Sequence, residues 1–507
     1  MSYGTNGSVI GPDNLPTAST ATGIWSLGEI AEARRDGIWP EPLGTHWIGM
    51  WTPPANKSIN SVYFTLDWQD NMTLTLQQYD SSTTASDVPA IHTDSNGAVQ
   101  WQKNYGINSA TGNYGIQKPM VRATNSRDIT FAADGSGYWP TLGLGTVNPG
   151  VIWELDEADG SVNWAKTIYK NQAYISTAVG NCVPNGGTYS FFSMAADNAQ
   201  ACYIITTTTG VGYSQWVGNG GSWGGAWQPY GVTSPGNGNM YMAFQGYHGS
   251  YGVTPWLFKI TGAGTLANQA YMTNYANMSG IWYDCTTDSS ENVYACGYHY
   301  NNVGTAIDAG LIAKYNSGLS QQAYAWSRPA SPTASSCYWQ GITCDTTTDD
   351  IYVAGHCKIS DSDNTVRPTI AKYNSSLVRQ WIRYFDVSPS TNPYGYSSCK
   401  PYIDQDSPRK LWVSFEQAIT PNGGGTDLQV PFVAKLPTDG SGTGSTTVGH
   451  VTVTYADASS YVDETGHTMY SGYSGVSNGS AFNTGPSNYS DHTNVAGSYT
   501  GPAQGNV

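Results

Sequence analysis

A block of sequence recurs along this 507-residue chain, and a fixed-period repeat constrains the fold more than composition can. Glu291-Asn292-Val293-Tyr294-Ala295-Cys296-Gly297 returns 58 positions later as Asp349-Asp350-Ile351-Tyr352-Val353-Ala354-Gly355. Leu311-Ile312-Ala313-Lys314-Tyr315-Asn316-Ser317 returns at the same offset as Thr369-Ile370-Ala371-Lys372-Tyr373-Asn374-Ser375. Weaker copies are Val151-Ile152-Trp153-Glu154-Leu155-Asp156, Trp256-Leu257-Phe258-Lys259-Ile260 and Pro431-Phe432-Val433-Ala434-Lys435-Leu436. A third element, a Gly or Asn turn followed by an alternating strand with an aromatic, reads Asn96-Gly97-Ala98-Val99-Gln100-Trp101 and Asp159-Gly160-Ser161-Val162-Asn163-Trp164. It returns in degenerate form near Trp227, Tyr271, Tyr324 and Trp381.

Alternating apolar residues mark half-buried strands. Each unit therefore reads as an inner strand, a return strand and an outer strand carrying Trp or Tyr. A unit of this size with about four strands predicts a blade of a β-propeller. Seven units follow, roughly 55–115, 116–178, 179–230, 231–277, 278–330, 331–390 and 391–455. The third rests on Cys202-Tyr203-Ile204-Ile205-Thr206-Thr207 and a Gly/Trp stretch; if that stretch is a loop, the count is six. The repeated Trp and Tyr are expected to wedge between blades.

Composition agrees with an all-β chain rich in tight turns. There are 36 Tyr, 18 Trp and 59 Gly, and charged residues make up only 11 %, which excludes coiled coils and charged disordered chains. The net charge of −15 argues against nucleic acid as a partner. No apolar run is long enough for a membrane helix. Met1–Gly7 is polar and lacks the apolar core of a secretory signal, which gives the expectation of assembly in a host cytoplasm without export. The eight cysteines contain no C-x-x-C and are expected to be buried free thiols on strands; a Cys285–Cys296 disulfide stays open.

The ends do not repeat. In residues 1–54, Ser26 and Glu29 form a capping box. It predicts a short helix with Leu27, Ile30, Ala31 and Arg34 on one face, stopped by Gly37 and Pro40. So short a helix is marginal alone. Trp25, Ile38 and Trp39 are therefore expected to dock on the propeller or on another subunit. Residues 456–507 are rich in Gly, Ser, Asn, Thr and Tyr and cannot build a core. They are expected to be a flexible tail, or an extended arm ordered against a neighbouring subunit through Tyr461, Tyr470, Tyr473, Tyr489 and Tyr499. His450–Tyr455 alternates as a strand and is expected to close the ring against Ser61–Leu66.

The pattern Trp25-Ser26-Leu27-x-Glu29-Ile30-x-Glu32-Ala33-x-Arg35-x-Gly37-x-Trp39-Pro40, after Gly11-Pro12-Asp13-Asn14-Leu15-Pro16-Thr17, resembles a segment of structural proteins of tailed bacteriophages, especially marine and cyanobacterial ones. It covers about 30 residues. The resemblance implies virion assembly and leaves the chemistry unspecified. The central repeats, over about 400 residues, resemble bacterial propeller repeats, which implies a fold and no particular function.

No H-E-x-x-H, G-x-S-x-G or P-loop occurs. His299 and His356 stand at related places in adjacent units; they read as polar loop residues, with a metal site as the sharper alternative. Asp156, Glu157 and Asp159, and likewise Asp345, Asp349 and Asp350, are candidates for a glycosidase pair, but each group also fits a hairpin turn. Asp361-Ser362-Asp363-Asn364 lacks the Gly and distal Glu of a full calcium loop. Quinoprotein dehydrogenase propellers use adjacent cysteines at the quinone site, and no two cysteines are adjacent here. The aromatics Trp216, Trp223, Trp227, Tyr247 and Tyr251 are candidates to stack on a ligand or to anchor an interface.

Together these readings give an all-β propeller of six or seven blades (55–455), a docking segment (1–54) that attaches through Trp25, Leu27, Ile30, Arg34 and Trp39, and a C-terminal arm (456–507). The expected role is that of a non-catalytic virion protein without cofactor or metal. It would be a tail fibre, tip or adaptor, oligomeric in the particle. Its partners would be other virion proteins, through both ends, and a host-surface glycan or protein. The alternatives are a capsid decoration or head-fibre protein, and a polysaccharide-cleaving tail enzyme.

Overall fold

In the computed structural model the described residues are 47–53, 57–67, 71–80, 85–95, 97–107, 114–116, 120–121, 128–135, 137–138, 146–147, 150–169, 183–185, 188–195, 200–207, 210–218, 228–248, 252–261, 266–271, 278–301, 307–329, 337–360, 363–389, 399–404, 409–421, 427–458, 461–464, 470–471, 477–478, 483–486, 489–492 and 500–506. The expected helix and its docking residues Trp25, Leu27, Ile30, Arg34 and Trp39 lie outside them.

The described strands form seven antiparallel sheets of five or six strands and one two-stranded ribbon. Each sheet has an innermost, second, third and fourth strand. Sheet 1 runs Lys57–Leu66, Met72–Asp80, Ala85–Thr93, Val99–Ile107. Sheet 5 runs Met278–Thr287, Val293–Asn301, Ile307–Tyr315, Gln321–Pro329. Sheet 6 runs Cys337–Asp345, Asp350–Ser360, Asp363–Tyr373, Arg379–Ser388. Sheets 2, 3 and 4 begin at Tyr114–Ile116, Val183–Asn185 and Gln228–Thr233. Each sheet touches the next, and the seventh touches the first, so the arrangement is β-propeller-like. The Gly/Trp stretch of the third unit contributes a strand, Gly210–Gly218, which carries Trp216. The strongest repeat, Val293–Gly297, is a second strand, outside an innermost strand that has no such signature.

Sheet 7 joins the two ends of the ring. It runs Cys399–Ile403, Leu411–Ile419, Leu428–Leu436, and its fourth strand is Trp47–Thr52. The docking segment as expected from sequence therefore ends too late: Trp47–Thr52 belongs to the ring. The reason is a strand with two apolar faces. Ile48 and Met50 enter a core shared with sheet 6, while Trp47 and Trp51 enter one shared with sheet 1. Burial of such side chains is worth roughly 1.5–3 kcal/mol each. The expected closure by His450–Tyr455 against Ser61–Leu66 is not what forms. Val451–Asp457 pairs with Arg379–Ser388 of sheet 6, with Gly444–Val448 beside it.

From there the chain travels back around the ring. Tyr461–Glu464 pairs with sheet 5, Tyr470–Ser471 with sheet 4, Ser477–Asn478 with sheet 3, Asn483–Pro486 with sheet 2, and Tyr489–His492 with sheet 1. Thr500–Asn506 then pairs with Trp47–Thr52 of sheet 7. The expected arm, read from sequence as a flexible tail or as ordered against a neighbouring subunit, thus orders against its own chain and adds a fifth strand to six of the seven sheets. Among its expected anchors, Tyr461, Tyr470 and Tyr489 lie on these strands; Tyr473 and Tyr499 lie outside the described residues.

Adjacent sheets are locked by one recurring contact. Tyr241 hydroxyl and Lys259 Nζ both donate to the Ser317 carbonyl of the next sheet, at 3.0 and 2.8 Å. Tyr294 and Lys314 do the same to Ser375, at 3.1 and 3.0 Å. Tyr352 donates to the Thr438 carbonyl at 3.4 Å. The lysine lies over its tyrosine ring in each pair, at 5.5, 5.1 and 5.5 Å for Lys259, Lys314 and Lys372. The accepting turns are shaped by an asparagine: Asn316 Oδ1 accepts from Gly318 and Ser320, and Asn374 Oδ1 from Ser376 and Val378. Farther out, Trp101 lies on Gly160 of sheet 2 and Trp381 on Gly440, where an added Cβ would come within 2.8 and 2.7 Å. Both glycines have positive φ, so the expected wedge role of these two tryptophans is observed on positions that suit glycine.

Two outcomes follow. Lys314→Met removes the charge-assisted bond to Ser375 and the 3.8 Å pair with Asp288; it should lower the unfolding free energy by about 1–3 kcal/mol in urea titration. Truncation after Ala458 removes the belt strands of six sheets and bares their edges, which are templates for pairing; light scattering after size exclusion should show larger, polydisperse species.

Candidate functional site

Strand direction gives the ring two unlike faces. Turns from innermost to second and from third to fourth strands lie on one face and are short, as in Asp67–Asn71, Asp94–Ala98, Asp288–Asn292 and Asn316–Ser320. The other strand ends, where second strands lead to third and one sheet leads to the next, lie on the opposite face; of these connections the sheet-to-sheet ones are the longer in sequence, as at 170–182, 219–227 and 390–398. Trp47 pairs with Lys435, at the end of a third strand, so the chain enters the ring on the short-turn face. Of the candidate ligand aromatics, Trp216 and Tyr247 lie near the ends of strands Gly210–Gly218 and Met240–His248 that point to the opposite face. Trp223, Trp227 and Tyr251 lie outside the described residues.

The segment with Trp223 and Trp227 leads directly into the innermost strand Gln228–Thr233 and Tyr230. There a group appears that the repeat did not reveal. Innermost strands of sheets 1, 4, 5 and 6 carry a bulge at the same place, between Ile59 and Ser61, Pro229 and Gly231, Trp282 and Asp284, and Trp339 and Gly341. A bulge re-aims the extra side chain, here that of Tyr230, Tyr283 or Gln340, out of the sheet-to-sheet core and into the centre. Tyr230 and Tyr283 meet at 5.1 Å, Tyr283 and Tyr298 at 5.7 Å, and Tyr298 and Tyr338 at 4.8 Å between ring centroids. All four are half-buried. Tyr338 hydroxyl donates to Asp308 Oδ2 and Tyr230 hydroxyl to Gln245 Oε1. Burial raises the Asp308 carboxyl above its usual range, against the bond from Tyr338, and raises the Tyr230 and Tyr283 hydroxyls.

Deeper on the axis, Lys400 of sheet 7 reaches across sheet 6 to Asp284 of sheet 5, with Nζ 3.7 Å from Oδ2. It also donates to the Gln340 carbonyl and lies 5.8 Å from the Tyr63 ring. Gly341 opens that path, since a Cβ there would lie 2.7 Å from Lys400 Cδ. This buried pair ties three sheets together.

The acidic candidates sit in turns. Asp156 Oδ1 accepts from Ala158, and Asp159 Oδ1 from Ser161, whose bonds hold the Asp159 carboxyl below its usual range. Asp345 accepts from Thr347, Asp349 from Ser289, and Asp350 pairs with Lys372 at 2.8 Å. Glu157 differs: it is buried, lies 4.0 Å from His92 Nε2, and with Asn71, His92, Asp94 and Gln100 lines a cleft of about 380 Å³ between sheets 1 and 2 on the short-turn face. Asp363 and Asn364 begin a strand, and Asp361 and Ser362 lie outside the described residues. Among the described residues no group of three or more His, Cys, Asp or Glu side chains could hold a metal.

His299 and His356 are buried strand residues, where loop positions had been expected. His299 stacks on Trp326 at 4.8 Å, and His356 Nδ1 is 2.8 Å from Gln340 Oε1. Cys285, Cys296, Cys337, Cys344, Cys357 and Cys399 are buried and free, so the expected thiols are found at these six positions.

No family model and no curated protein matches this chain. Among solved structures it is similar to an ulvan lyase of a polysaccharide lyase family (7 % identity, TM-score 0.46, 75 % of this chain and 95 % of that one). It is also similar to a protein of unknown function from Dyadobacter fermentans (11 %, 0.42, 78 % and 100 %) and to the quinohemoprotein alcohol dehydrogenase of Comamonas testosteroni (8 %, 0.39, 76 % and 76 %). At these values the likenesses carry no argument about function.

Burial pushes His356 down to about 4 from 6.5 and lowers His92 as well. Between those values the unfolded chain binds a proton that the folded chain does not. The stability from keeping His356 neutral is therefore present above pH 6.5 and is lost as pH falls towards 4. His356→Gln should reduce the loss of unfolding free energy between pH 7 and pH 4.5 by about 2–3 kcal/mol, measured by urea titration at both values.

Proposed function

We propose that the chain is a structural protein of a tailed-phage virion, a tail component in which a seven-bladed β-propeller joins an attachment segment to a host-facing surface. The resemblance of residues 11–40 to phage structural proteins supplies the virion context. The opposed faces carry the rest of the reading. The chain enters through Trp47 on the face of short turns, while the tyrosine group and the start of strand Gln228–Thr233, which follows the Gly- and Trp-bearing segment 219–227 in sequence, lie towards the other. Attachment on one side and recognition on the other is the layout a tail protein needs. Binding is non-covalent and uses no cofactor. The protein is placed in the virion, oligomeric there, with other virion proteins as its first partners.

The test is a deletion of residues 1–46, which spares the strand Trp47–Thr52 that the ring requires. The shortened chain should unfold at an unchanged urea midpoint yet be absent from purified particles. Normal incorporation would overturn the docking role. In particles with the full chain, a few copies at the tail are expected; hundreds on the shell would replace the tail assignment with capsid decoration.

A further inference from the structure

We propose that the row Tyr230, Tyr283, Tyr298 and Tyr338, with Asp308 at its end, is a binding site for an uncharged oligosaccharide. The inference deepens the host-contact half of the proposed function and rests on it.

Three observations carry it. The first is the row itself. Its rings follow one another at 5.1, 5.7 and 4.8 Å, from the axis out to the junction of sheets 5 and 6. Its members stay half-buried, although their neighbours Trp282 and Trp339 are wholly buried. The bulge turns Tyr230 and Tyr283 out of the sheet-to-sheet core. Half-buried aromatic rings following one another in a row suit the C–H faces of successive sugars.

The second is an acceptor at the end of the row. Asp308 Oδ2 takes the Tyr338 hydroxyl, while Oδ1 has no hydrogen-bond partner among the described residues. A buried acceptor left unmatched is costly, and a hydroxyl donor relieves it. The third is charge. Of the two cations on the described innermost strands, Lys57 and Lys400, Lys400 is already held by Asp284 and the Gln340 carbonyl, and the chain carries −15 overall. A uronate or sulfated sugar would face a carboxylate with its counter-charge committed elsewhere. An uncharged sugar carries no such penalty.

The experiment applies the full-length protein to a microarray of neutral and acidic bacterial surface glycans, followed by titration calorimetry with the best neutral oligosaccharide. At least one neutral glycan should bind. Tyr283→Ala and Tyr298→Ala should each weaken it about tenfold, Tyr298→Trp should retain it, and Asp308→Ala should weaken it at least fivefold. Urea midpoints keep loss of folding apart from loss of binding. Binding only to acidic glycans, binding indifferent to Tyr283 and Tyr298, or no binding to any neutral glycan would overturn the site; an array of peptides would then test a protein receptor. Particle incorporation is read separately, so failure of the sugar site leaves the virion assignment standing or falling on its own result.

Discussion

The ring depends on one contact made repeatedly: a tyrosine from a second strand and a lysine from a third strand converge on a turn carbonyl of the next sheet. Tyr241 with Lys259, and Tyr294 with Lys314, show it in full. A single sheet would leave both apolar faces exposed, so the fold needs each sheet to find its neighbour at a fixed height and angle. Apolar packing supplies the attraction but little direction. The paired donors supply direction, because both must reach one carbonyl held in an asparagine-shaped turn. Bonds to a charged donor are also stronger than neutral ones.

This explains what was legible in the sequence. The blocks Val-Tyr-x-x-Gly and Ile-Ala-Lys-Tyr-Asn-Ser repeat because they contain the donors, the acceptor and the residue that shapes the turn: Tyr294 and Lys314 give to Ser375, and Asn374 holds Ser375 in place. Strands, turns and the approximate limits of each unit could therefore be read. The innermost strands could not. Their bulges break the two-residue alternation that marks a strand, and Tyr230 and Tyr283 lie on the bulges. The candidate site was hidden for the same reason that it exists.

The belt was hidden by a different cause. Its contacts to six of the sheets are backbone pairing, short at Tyr470–Ser471 and Ser477–Asn478. Main-chain pairing places no demand on hydrophobic pattern, so a Gly-, Ser- and Asn-rich segment satisfies it and reads as a tail. The strand Trp47–Thr52 misled in the opposite way. Its two apolar faces look like a docking element, and it does dock, but between sheets 6 and 1 of its own ring.

The belt changes what the ring can do. An outer strand with free N–H and C=O groups would invite pairing with any neighbouring chain. With a fifth strand on every sheet, supplied by the same chain, those groups are engaged, and the new edges at sheets 3 and 4 are strands of only two residues, poor templates for strand addition. Selective contacts are left to side chains on the two faces. The short-turn face is fixed by its locks: Ser317 and Ser375 cannot shift without releasing a neighbouring sheet. The tyrosine row stands towards the opposite face, with Tyr230, Tyr283 and Tyr338 on innermost strands and Tyr298 on a second strand, beside a centre in which Lys400 ties sheet 7 to sheet 5. A recognition surface gains from this placement, because rings already fixed in line lose little freedom when a ligand arrives.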